Sequence, residues 1–126
     1  MVDWTDWPLL QVSAVEIAAA EVPNVVGAAL TEALERGETF AAVVETRRMA
    51  TGRDRAHGAL ERVRMVRRLR PGLAAHCRGL AFVVSIESIR ANAKAVAAGS
   101  RIWGCPTTTV DDLARARAWA RDRLGS

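Results

Sequence analysis

A chain of 126 residues, half of them hydrophobic and a quarter charged, has the make-up of one globular domain, 1–126, and is too short for two. It holds no apolar run near the ~20 residues that cross a bilayer, and its two cysteines are too few for a disulfide scaffold. The net charge is +4 and all but one of the 18 basic residues are arginine, Lys94 being the exception; this suits a GC-rich bacterial source and leaves the meaning of the charge to its placement.

Met1-Val2-Asp3-Trp4 lacks the basic and apolar segments of a signal peptide, so the expected compartment is the cytoplasm. Pro8–Ala14 reads as a first strand behind two tryptophans, Trp4 and Trp7. Val26, Ala29, Leu30, Ala33 and Leu34 recur at helical spacing. Pro23 suits the first turn of that helix and Gly37 its stop. Phe40–Thr46 is short, apolar and β-branched, as in a strand buried on both faces. Arg47–Gly52 is a loop.

A long helix is expected over Arg53–Arg70, with the stripe Ala56, Ala59, Leu60, Val63, Val66 and Leu69. Pro71-Gly72 should break or kink it, and a short helical piece, Leu73–Arg78, should follow. Leu80–Ser85 is another buried strand. Ile86–Ala98 reads as one helix stopping at Gly99. Pro106–Val110 is the last strand, and Asp111 or Asp112 caps a final helix, Leu113–Leu124, whose arginines complement its dipole. The alternation predicts an α/β fold with a four- to five-stranded, mostly parallel sheet and right-handed crossovers. It leaves open whether helices cover one face or both.

Three stretches, ALERGETFAAVVETRR, AAHCRGLAFVVS and DDLARARAWARDRL, resemble the small bacterial STAS-like proteins, relatives of the anti-sigma-factor antagonists within a lipid-transfer-like superfamily. The similarity rests on Gly37 before Phe40–Thr46, on Cys77-Arg78-Gly79 before Ala81-Phe82-Val83, and on Ala116 and Trp119. It covers about residues 7–124. The resemblance implies a sheet with helices packed on it and a regulatory or binding role. It also implies a phosphoswitch at a Ser or Thr after an inner strand, where a phosphate would change a docking surface. Thr46 and Thr51 stand nearest that place, and Thr51 is the candidate, although the Asp-Leu-Ser type of motif is missing.

Ligands of parallel sheets bind beyond the carboxyl ends of strands. Arg47, Arg48, Thr51 and Arg53 follow such an end, where they form an anion or acidic-partner site or a solvated basic loop. The loop lacks the Gly-Lys-Ser/Thr of a phosphate-binding P-loop. Arg64 and Arg68 on the helix 53–70 suit nucleic acid, or simply an exposed face; no aromatic residues interleave with them. His57, His76, Cys77 and Cys105 are metal-ligand types without metal-ligand spacing, and no metal or cofactor is expected. Cys77 reads as a small buried hydrophobe, and a Cys77–Cys105 bridge is disfavoured in a reducing compartment.

Glu45 and Cys105 are weak catalytic candidates, and a salt bridge is the alternative use of Glu45. Trp4 and Trp7 either seal the core or meet a partner, such as a second copy in a homodimer. The leading expectation is a non-enzymatic domain that docks a protein partner or a small anionic or apolar ligand. The alternatives are a small enzyme or accessory protein of a biosynthetic pathway, with a pocket above Glu45, Ser85 and Cys105, and nucleic-acid binding through helix 53–70.

Overall fold

The computed structural model describes residues 1–18, 21–46 and 59–125. Its strands are β1 (Val2–Asp3), β2 (Leu9–Ser13), β3 (Phe40–Glu45), β4 (Cys77–Val83) and β5 (Thr107–Val110). Its helices are α1 (Val22–Glu35), α2 (Ala59–His76), α3 (Ile86–Ala91), α4 (Ala93–Ala97), α5 (Gly99–Trp103) and α6 (Leu113–Leu124). One five-stranded sheet carries the strands in the order β1-β2-β3-β4-β5. β1 pairs antiparallel to β2, and every later pair is parallel. The α/β class and the mostly parallel sheet are as expected.

The β1 strand is an addition. The amino group of Met1 donates to Ser13 O at 2.8 Å, and Ser13 N returns a bond to Met1 O at the same length. Two residues are too short for a hydrophobic period to reveal them. Gly37 ends α1 as its position suggested, at φ 69°, where a glycine meets no steric penalty.

From β2 to β5 the sheet grows in one direction. Right-handed crossovers of a sheet that never reverses must all lie on one face. That face is covered by α1, α2 and the α3–α5 segment, over Leu10, Val12, Ala42, Val44 and Leu80. The other face belongs to α6 alone. There Leu9, Ala41, Val43, Ala81 and Val83 meet Ala116 and Ala120. Alanines on both sides let this helix lie close to the strands. Asp112, not Asp111, caps it, its Oδ1 accepting from Ala114 N at 2.9 Å.

Three boundaries differ from the sequence expectation. α2 does not end at Pro71-Gly72 but runs through to His76. Pro71 is exposed, and the buried Leu69 and Leu73 pin the helix on either side of it. Gly72 presses on Leu34, to which a Cβ would come within 2.8 Å. Packing here outweighs the missing hydrogen bond. Cys77, Arg78 and Gly79 accordingly belong to β4, and the register shifts between Phe40 and Ala41 to admit them. The helix expected over Ile86–Ala98 is instead the chain of short helices α3, α4 and α5. Asn92 interrupts it at φ −121°, its Nδ2 donating to Ser88 O at 2.9 Å. Gly99 starts a helix rather than stopping one, because a Cβ there would collide with Thr107 on β5.

A candidate binding cavity under the helical layer

Alternate residues of a strand share a face, and on the α1–α2 side the carboxyl halves of three strands form a floor. Val44 and Thr46 continue β3, Phe82 and Val84 lie on and just beyond β4, and Thr107 and Thr109 come from β5. Above them stand Val22, Pro23 and Val26 of α1; Arg62, Met65 and Val66 of α2; Ala95 and Val96 of α4; and Gly99, Ile102 and Trp103 of α5. They enclose a cavity of about 410 Å³, within the ~300–1,000 Å³ typical of small-molecule sites. The Phe82 and Trp103 rings lie 5.7 Å apart, tilted by 39°.

The cavity exists because α2 is seated at one end only. Leu69 and Leu73 are buried, whereas Leu60 and Val63 are 60% and 52% exposed. The expected stripe through Leu60 and Val63 is therefore rotated. The row facing the sheet is Arg62, Met65, Val66, Leu69 and Leu73, spaced as one helical face. An arginine thus occupies a place where the period calls for an apolar residue. Among the described residues lining the cavity it is the one charged side chain. Hydroxyls and a guanidinium hold a ligand at neutral pH rather than exchange protons with it.

The residues proposed from sequence for an enzymatic pocket are not brought together there. Glu45 alternates with Val44 and Thr46, so it belongs to the α6 face of β3. Ser85 Oγ accepts from Ser88 N at 3.2 Å as the cap of α3. Cys105 lies at the entrance to β5 beside Cys77, whereas Glu45 pairs with Val83 at the far end of β4. Six residues of strand separate Cys77 from Val83, roughly 20 Å.

Both cysteines are buried free thiols. Cys77 Sγ donates to Gly79 O at 3.3 Å. Its hydrogen-bonding contact with Cys105, together with burial, pushes the Cys77 thiol far above the usual range. Among the described residues, no three His, Cys, Asp or Glu side chains gather as a metal site.

Arg47, Arg48, Thr51 and Arg53, with His57, lie outside the described residues. Trp4 and Trp7 use their rings within the chain. Trp7 stacks on Phe40 at 5.7 Å, and its indole N–H donates to Glu38 Oε2 at 2.8 Å. The Arg36 guanidinium sits 4.1 Å from the Trp4 ring centre and 4.8 Å from that of Trp7. Arg64 and Arg68 border a groove that also holds Glu32, Glu35 and Glu61, so that face is of mixed sign. On α6, Arg117 bonds Gln11 and Asp6, and Arg123 lies over Trp119 at 5.3 Å. Among the described residues no helix is long and apolar enough to cross a membrane.

Met65, Val96, Ile102 and Trp103 escaped the sequence reading because their convergence depends on how α3–α5 fold back over β5. Arg62 did leave a signal, namely its spacing of four, seven and eleven residues from Val66, Leu69 and Leu73. Comparison of the chain with protein families, with characterised proteins and with solved structures returns no match.

Proposed function

We propose that the chain is a non-enzymatic, STAS-like binding domain whose ligand buries an apolar body in the cavity between the sheet and α1, α2, α4 and α5. The observation that carries this reading is the cavity itself: about 410 Å³, lined mainly by Val, Ile, Met, Phe and Trp side chains. An apolar hollow of this size has an energetic motive for filling, since each CH₂ removed from water contributes about 0.8 kcal/mol. The helices layered on one face of a parallel sheet accord with the architecture that the STAS resemblance implies. A small ligand is favoured over protein docking through Trp4 and Trp7 because those rings already pack on Phe40 and Arg36. The separation of Glu45, Ser85 and Cys105 weighs against the enzymatic alternative.

A neutral aromatic probe, 2-naphthamide, tests the cavity. Calorimetry should show saturable one-to-one binding to the wild type and none to Val96→Trp, whose larger ring fills the space. No saturable binding to the wild type, or equal binding to a well-folded Val96→Trp, overturns the reading.

A further inference from the structure

Resting on that cavity reading, we propose that the natural occupant is a compact ring-bearing organic acid whose carboxylate is held by Arg62. Three observations converge. The first is the phase of α2. Met65, Val66, Leu69 and Leu73 form its inward row, and Arg62 continues that row one turn toward the N-terminus. A guanidinium facing an apolar hollow favours an anionic group there, because Arg presents a planar fork of donors that matches a carboxylate. The second is polarity. Arg62 is the one charged side chain among the described lining residues, so a cationic ligand would meet repulsion without a balancing carboxylate.

The third is shape. The cavity is short and walled from five elements rather than drawn out as a tunnel. At about 30 Å³ per non-hydrogen atom, the share a water molecule takes in the liquid, it holds roughly a dozen atoms. A bicyclic acid has that size. Phe82 and Trp103, 5.7 Å apart and tilted, supply aromatic surfaces for edge or face contact with a ring.

Calorimetry with 2-naphthoate, 2-naphthamide and decanoate on the wild type, Arg62→Gln and Val96→Trp decides it. The acid and the amide present the same ring system and differ mainly in charge. The wild type should bind 2-naphthoate at least tenfold more tightly than 2-naphthamide and more tightly than decanoate. Arg62→Gln should bring the acid to the level of the amide while leaving the amide unchanged. The amide also reports whether this variant keeps its cavity, so a misfolded protein is not mistaken for a lost carboxylate contact.

Equal affinity for acid and amide overturns the acidic occupant and leaves the cavity reading standing. An advantage of the acid that survives Arg62→Gln overturns the assignment to Arg62. Tighter binding of decanoate overturns the ring. Absence of all saturable binding, or binding untouched by Val96→Trp, overturns the cavity reading itself.

Discussion

Cys77 shows how much of a residue's chemistry comes from its neighbours. In the sequence it is a small hydrophobe, and its burial agrees. What spacing does not reveal is the contact with Cys105 across the entrances of β4 and β5. That contact and burial keep the folded thiol protonated where an ordinary one ionises. The unfolded chain releases this proton above about pH 8.5, whereas the folded chain retains it. The native state then binds more protons, so stability is full below that pH and declines above it, by at most about 1.4 kcal/mol per pH unit. Urea unfolding between pH 7 and 10 should show the decline, and Cys77→Ala should flatten it. A slope unchanged by Cys77→Ala would place its origin elsewhere. The tryptophans give the same lesson. Trp4 and Trp7 are visible as outliers in the sequence, but only the folded chain shows Arg36 lying over both rings.

At the scale of elements, β2, β3 and α1 are legible because each has a single clear period and is buried accordingly. The α2 and α3–α5 segments are less so. In α2 two apolar rows compete, one through Leu60 and Val63 and one through Met65 and Leu73, and tertiary packing chooses the second. In α3–α5 the turn at Asn92 is set by a side-chain bond to Ser88 O, which hydrophobic periodicity does not register. Gly99 is the clearest misreading: a helix stop by its residue type, a close-contact point by its place. Gly99→Ala improves helix propensity by roughly 1 kcal/mol, yet it should destabilise the protein. Its Cβ would press on Thr107 and disturb the bond from Thr107 N to Ser100 Oγ, now 3.1 Å. Thermal unfolding should place the variant a few degrees below the wild type; a higher midpoint would mean that α5 shifts at no cost.

For the whole molecule, alternation of strands and helices makes the α/β class readable, but not the division of helices between faces. That division follows from strand order. A sheet that reverses direction opens a crevice between its two sets of helices, and ligands bind at that crevice. This sheet does not reverse, so its hollow lies beneath a helical layer, away from Glu45. The six candidate positions nearest the loop and the N-terminal tryptophans were chosen by the logic of strand ends, whereas the cavity depends on how far α2 stands off the sheet. The opposite face has one cover. Deleting residues 113–126 would uncover Leu9, Ala41, Val43, Ala81 and Val83 together, a broad apolar strip. The shortened chain should recover in the insoluble fraction, and a soluble monomer by size-exclusion chromatography would contradict α6 as an essential part of the core.

The strand order has a temporal consequence as well. Each strand from β2 onward lies beside the one synthesised just before it, so no pairing waits for a distant part of the chain. Domains begin to fold as they leave the ribosome, and pairing between sequence neighbours keeps loop-closure costs low. Such a sheet can be laid down strand by strand during translation, each helix settling over the last crossover. Only the α6 face stays open until the end, and the final helix to emerge is the one that closes it.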